Sequence, residues 1–209
     1  NPSILIELIL KKMNLTTNDI PQIEGGMFGL LLKENCILSQ RDIHSIESAL
    51  LLKDIKIKKV KSRRFSIGEI GAGVGKNAYW SFKLGLKDYF IFDLPFVCVI
   101  SAYYLIKALG NDNIYLYGEK ADASNKNKIK ILPPWGLNQL KKNRISCFFN
   151  QDSFPEIDKL ICREYIDNFV RLNAKYFFSI NHEAGTVMTA NGTKQNVVNK
   201  LLADYSDYF

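Results

Sequence analysis

The sequence predicts an α/β fold with a doubly wound, mostly parallel sheet behind a helical N-terminal section. Three observations carry the prediction. The run Phe65 to Ile70 is a short apolar strand interrupted by Glu69, and it breaks at once into Gly71, Gly73 and Gly75 at alternate positions. From Arg63 onward, short apolar runs alternate with helical stretches, the pattern of parallel strands joined by crossover helices. A second apolar run, Tyr89 to Phe92, ends in Asp93, 24 positions after Glu69. Together they make the strand, loop, helix and strand of a Rossmann-like domain. Glycine there lets the chain turn tightly and brings bare backbone against a ligand.

The elements follow in order. Ser3 to Met13 predicts a short helix with Ser3 as N-cap and Glu7 in its first turns. Pro21 and Gly25-Gly26 break the chain, Met27 to Leu32 is apolar, and Ser39 to Leu52 predicts a second helix. Residues 1–62 therefore read as a helical N-terminal section packed over the glycine loop or an acceptor cleft, and residues 63–209 as the sheet domain. In that domain strand Phe65–Ile70 leads to helix Lys76–Leu84, strand Tyr89–Phe92 and helix Phe96–Leu109. Two candidate strands, Asn113–Tyr117 and Lys128–Leu132, flank a polar loop. The third sheet strand is assigned to Lys128–Leu132, because Pro133-Pro134-Trp135 then falls at its carboxyl end; the other pairs on an edge or forms a hairpin. Strand Ile145–Phe149, helix Glu156–Leu172, strand Tyr176–Ile180 and a last helix, Gln195–Asp204, complete the reading.

Composition narrows the class. A chain of 209 residues, 47% hydrophobic and 23% charged, suits one soluble domain with spare length. The longest apolar stretch, Tyr89 to Ile100, is interrupted by Asp93 and Pro95 and is too short to span a membrane. Cys36, Cys98, Cys147 and Cys162 are scattered without a C-x-x-C pair, which points to reduced core thiols in a cytoplasmic protein and away from zinc. The net charge of +7 implies either an acidic partner (nucleic acid, or a phosphorylated or nucleotide-linked substrate) or a solvated lysine-rich surface. The densest basic run, Lys53 to Arg64, has little aromatic interleaving and reads as a solvated linker or edge in preference to an RNA platform. Oligomeric state is not legible.

Spacing separates the glycine loop from its look-alikes. A dinucleotide fingerprint needs glycine three residues after Gly73, where Lys76 stands. A P-loop needs glycine where Ile70 stands and a hydroxyl where Asn77 stands. The remaining pattern, acidic-x-G-x-G-x-G, resembles motif I of the class I S-adenosylmethionine-dependent methyltransferases. That resemblance implies a cofactor site made of Glu69, Gly71, Ala72, Gly73 and Gly75, continued by Asp93 and Leu94. Asp93 either holds ribose hydroxyls or caps the following helix, whose first turn suits Pro95.

Ligands of doubly wound sheets bind beyond the carboxyl ends of the strands. The other segments placed there are Pro133–Trp135, Asn150–Ser153 and Asn181–Glu183. Asn150 is grouped with the cofactor residues. Pro134 and Trp135 either pack on an adenine ring or belong to the core. Methyl transfer to a hydroxyl needs a base, because a sugar hydroxyl is a weak acid. His182 is the leading candidate, with a structural histidine as the competing account, and Glu183 either orients it or acts itself. Asp152 belongs to the same polar set; with Asn181 or Glu183 it could hold magnesium, a reading not favoured over a hydrogen-bonded acceptor pocket. Tyr79, Trp80, Tyr103 and Tyr104 read as packing, and His44 as a surface residue.

Three further phrases narrow the resemblance. Ile91-Phe92-Asp93-Leu94-Pro95, Asn150-Gln151-Asp152-Ser153-Phe154-Pro155-Glu156-Ile157 and Tyr176-Phe177-Phe178-Ser179-Ile180-Asn181 are similar to signatures of the sugar O-methyltransferases of bacterial surface-polysaccharide loci. The similarity spans Phe65 to Glu183, and it implies S-adenosylmethionine as donor and a sugar hydroxyl, on a nucleotide sugar or glycan precursor, as acceptor. The chain departs from that pattern in carrying His182 where another basic residue is expected. It also shows no terminal antiparallel strand pair after its last helix. Two rival readings remain: an RNA methyltransferase, suggested by the basic balance, and a non-catalytic, cofactor-binding partner subunit.

Overall fold

Six parallel strands form the central sheet of the computed structural model, which describes residues 2–23, 29–33, 36–60, 64–120, 127–182 and 195–208. In chain order they are β3 (Ile67–Ile70), β4 (Tyr89–Phe92), β5 (Ile114–Leu116), β6 (Ile129–Leu132), β7 (Cys147–Gln151) and β8 (Tyr176–Ile180). Their order across the sheet is β5-β6-β4-β3-β7-β8. The chain thus runs outward from β3 on one side and then returns to its other side, the switch at which such sheets bind ligands. Both candidate strands around the polar loop join this sheet. Lys128–Leu132 supplies the strand next to β4, and Asn113–Tyr117 supplies the edge strand, parallel to it and not in a hairpin.

Alternation along the strands feeds two cores. Tyr89 and Ile91 face one way with Ile67, Ile129 and Phe149. Phe90 and Phe92 face the other with Ile70, Leu132 and Phe148. The first face is covered by α3 (Lys76–Lys83) and α4 (Pro95–Leu109), the second by α5 (Lys159–Arg171) and the short α6 (Val198–Leu202). Tyr79, Trp80 and Tyr104 are buried as expected, but Tyr103 is 61% exposed and does not pack on the sheet. It lies one residue round the helix from Tyr104, about 100° away, and so faces solvent. The connection from β6 to β7 holds no α-helix, only a 3-10 segment, Pro134–Gln139.

The N-terminal section is not wholly helical. Between α1 (Pro2–Lys12) and α2 (Gln40–Lys59) lies an antiparallel pair, β1 (Gly29–Lys33) with β2 (Cys36–Ser39). Gln22 secures it by accepting from the Ile37 N–H at 3.0 Å and donating to the Ile37 carbonyl at 2.9 Å. α1 begins at Pro2, so Ser3 lies inside the helix and is not its cap. α2 runs seven residues past the end its apolar pattern predicts: Lys53 to Lys59 continue the helix and are not a linker. Lysine is a good helix former, and Lys56, Lys58 and Lys59 oppose the negative end of the helix dipole.

At the other end of α2, Ser39 and Asp42 form a capping box. Asp42 is fully buried and also accepts from Lys76 Nζ at 2.9 Å and from Trp80 Nε1 at 3.1 Å, both on α3. Leu10, Leu38, Ala49 and Leu52 share one core with Ile67 and Trp80. The N-terminal section therefore supports the helix that starts at the glycine loop.

Candidate active site

β3 is forced to stop where the chain must turn. Gly71, Gly73 and Gly75 all have positive φ (74°, 57° and 94°), a conformation that L side chains rarely adopt. A Cβ on Gly71 would collide with the Ser153 side chain behind the turn, whereas a Cβ on Gly73 would meet nothing and project into open space. Gly75 caps α3 and lets it close on α4, where its Cβ would press on Leu105. Ala72 is half-buried, packs on the main core and accepts from the Gly75 N–H at 3.0 Å. Of these residues Gly71 and Gly73 line a cleft of about 790 Å³ at the carboxyl end of the sheet.

Asp93 pins the turn. Its carboxylate accepts from the Gly73 N–H at 2.9 Å and from the Leu94 N–H at 2.8 Å. It is not the cap of α4, because Leu94 holds that position and Pro95 begins the helix. Burial pushes the Asp93 carboxyl above its ordinary range, against the backbone N–H groups of Gly73, Leu94 and Ala72. Each of its oxygens keeps a lone pair that can accept from a ligand hydroxyl. Beneath it the Cys98 thiol donates to the Asp93 carbonyl at 3.3 Å and the Leu132 carbonyl at 3.4 Å. Burial pushes that thiol up to about 11.

Leu94, Pro134 and Trp135 line the cleft as well. Trp135 is 51% exposed and packs edge-on against Tyr117, so it is not a core tryptophan. The far wall is α5 with the turn before it, a contribution that sequence reasoning missed. Ile161, Glu164, Tyr165 and Asn168 face the cleft, and Glu156 joins them. Their spacing of three, four and seven residues is the signal of one helix face, hidden because the face mixes apolar and polar side chains.

The charge of this cleft is opposite to that of the chain. Asp93, Glu156 and Glu164 line it, and no lysine or arginine among the described residues does. In a protein of net charge +7, such a site favours a cationic ligand.

Two residues read as cofactor contacts are buried and do not line the cleft. Glu69 is 1% exposed and turned beneath the loop, where it accepts from Asn77 Nδ2 at 2.8 Å and from the Tyr89 hydroxyl at 2.9 Å. On β3 it points to the face opposite Ile70, away from the cleft. Asn150 is also fully buried. It donates to the Ile70 carbonyl at 2.9 Å and to Ser153 Oγ, and it accepts from Asn181 Nδ2 at 2.8 Å. It ties together the ends of β3, β7 and β8.

Burial pushes the Glu69 carboxyl from 4.5 up to about 7, with Asp93 adding repulsion and Asn77 and Tyr89 opposing. The folded chain therefore holds a proton that the unfolded chain releases, and this contribution to stability is lost as pH rises from 4.5 through about 7. Glu69→Gln is expected to flatten that fall, by up to about 3 kcal/mol between pH 5 and pH 8 in urea titrations. Parallel profiles for the two proteins would show that Glu69 ionises normally.

The polar clusters after β7 and β8 do meet. The Asp152 N–H donates to the Ile180 carbonyl at 3.0 Å, beside the link from Asn181 to Asn150. Asp152 has a φ of 60° and an exposed carboxylate 3.6 Å from Arg41 Nη1. His182 is exposed at the end of β8. Neither lines the cleft; Ser153 does. Glu183 lies outside the described residues. His44 is half-buried on α2. Among the described residues no three histidines, cysteines or carboxylates are grouped to hold a metal, and no helix is long and apolar enough to cross a membrane.

No protein-family model matches the chain, and no curated protein matches it in sequence. Among solved structures it is similar to a geranyl diphosphate methyltransferase in complex with GPP and sinefungin, at 11% identity and a TM-score of 0.48, over 77% of this chain and 57% of that one. It is similar to geranyl diphosphate C-methyltransferase from Streptomyces coelicolor A3(2), in complex with Mg2+, geranyl diphosphate and S-adenosyl-L-homocysteine, at 12% identity and a TM-score of 0.48, over 83% and 64%. Cofactor-bound Rv0187 from MTB follows at 15% identity and a TM-score of 0.41, over 82% and 61%. The chain thus spans less than two thirds of the length of each. Similarities this distant leave the assignment of chemistry to the cleft's own residues.

Proposed function

We propose that the chain is an S-adenosylmethionine-dependent methyltransferase acting on a sugar hydroxyl. The observation that carries the cofactor is the acidic cleft over a left-handed glycine turn pinned by Asp93. Open space above Gly73 admits a ligand against bare backbone. The carboxylates of Asp93, Glu156 and Glu164 suit a molecule that carries a sulfonium and an ammonium. Asp93 would accept from ribose hydroxyls, and the exposed face of Trp135 would take the adenine. When bound, the cofactor supplies an electrophilic methyl group.

The sugar acceptor rests on the resemblance of the phrases at Ile91–Pro95, Asn150–Ile157 and Tyr176–Asn181. The acceptor would lie near the joined ends of β7 and β8, with His182 taking the hydroxyl proton and Asp152 positioning the sugar. The acidic lining does not suit an acceptor's phosphates, so the basic surface does not serve them in this cleft.

Calorimetric titration with S-adenosylhomocysteine, with NAD as control, tests the cofactor. Saturable binding of the first alone is expected; no binding by folded protein would remove the enzyme reading. Turnover is then sought with nucleotide sugars. His182→Ala should lower it by about a hundredfold and leave S-adenosylhomocysteine affinity unchanged. Unchanged turnover would take His182 out of the mechanism.

A further inference from the structure

A parallel strand covered on both faces reads as an unbroken apolar run, and β6 does not. Its second residue is Lys130, whose side chain is 1% exposed. Lys130 pairs in register with Phe90 on β4 and Tyr115 on β5, so the three point to the same face. That face is where the 3-10 segment replaces a crossover helix. The incomplete cover leaves a second cavity of about 490 Å³, floored by this row and walled by Tyr117, Gln139, Lys141 and Arg144.

The electrostatics of this cavity are opposite to those of the cleft. Asp88, 6% exposed, accepts from Lys130 Nζ at 2.8 Å and from both terminal nitrogens of Arg144 at 2.8 and 3.0 Å. Arg64 Nε lies 3.8 Å from the same carboxylate. Of the cavity's own lining, Lys130, Arg144 and the rim residue Lys141 carry three positive charges, and Asp88 behind them supplies one negative charge. Burial pulls the Lys130 ammonium down to about 8, against Asp88 and with Arg144 and Arg64 repelling it. Lys130 also donates to the Lys128 carbonyl at 3.0 Å, so two of its three donors are engaged among the described residues. Arg144 spends two of its five on Asp88.

We propose that this cavity binds a phosphate-bearing small molecule. The excess of two positive charges matches a phosphate dianion better than a single carboxylate, and the spare donors of Lys130 and Arg144 suit its oxygens. Tyr115, Tyr117 and Gln139 offer hydroxyl and amide groups to a polar remainder such as a sugar. The site does not depend on the methyl-transfer reading.

Lys141 and Lys142 are adjacent and both exposed, but only Lys141 lines the cavity. Inorganic phosphate, pyrophosphate and glucose 1-phosphate are titrated at constant ionic strength into the wild type, Lys141→Glu and Lys142→Glu. At least one probe is expected to bind saturably. Lys141→Glu should weaken it about tenfold, as loss of one charge-assisted contact implies, while Lys142→Glu leaves it within about twofold. No saturation up to about 10 mM in protein shown to be folded would overturn the proposal. So would equal weakening by both variants, which would reveal a diffuse field without a site.

Discussion

Asp93→Ala is expected to weaken S-adenosylhomocysteine binding by about a hundredfold or more, read by calorimetry. Two contributions add. Hydrogen bonds to a charged group are worth about 1.5–3 kcal/mol each, so two lost ribose contacts alone exceed about a hundredfold. The variant also frees the Gly73 and Leu94 N–H groups, which hold the loop in its left-handed turn. Asp93→Asn keeps an acceptor oxygen and should fall between the two. Wild-type affinity in Asp93→Ala would mean that the ligand lies elsewhere in the cleft.

The largest loss of stability is expected from Asp42→Ala, at about 3–5 kcal/mol in urea unfolding. The variant removes the capping box of α2, the acceptor of the Trp80 indole and the carboxylate that answers Lys76, whose side chain is 10% exposed. Most of the cost is the charge left behind in the core, so Asp42→Ala combined with Lys76→Met should regain much of it. Failure of the double variant to recover would place the cost in the cap and the indole contact instead.

What the sequence showed depended on how locally each feature is determined. Tyr89–Phe92 was legible to the residue because an apolar run meets Asp93 and Pro95 at its end. The glycine turn was legible because positive φ selects glycine at those positions. Glu69 and Asn150 were grouped with the cofactor residues because sequence marks a polar residue near a strand end but not whether its side chain turns into the cleft or, as both do, away from it. The β1–β2 pair was missed because its apolar residues run together without alternation. Trp135 was left open between core and cleft, since only the tertiary position of the 3-10 segment decides it. Lys130 sat in plain view inside a strand, and only its partners on β4, β5 and Asp88 give it meaning.

The thiol under Asp93 makes the chain its own reporter. Cys98 is half-buried, hydrogen-bonded and far above neutral in its ionisation, so a thiol-specific reagent meets little thiolate while the native packing holds. Its labelling is then paced by how often the end of β4 lifts away from α4. A ligand that locks the turn slows that lifting without touching sulfur, so the alkylation rate of one cysteine reads occupancy of the cleft whatever the acceptor proves to be.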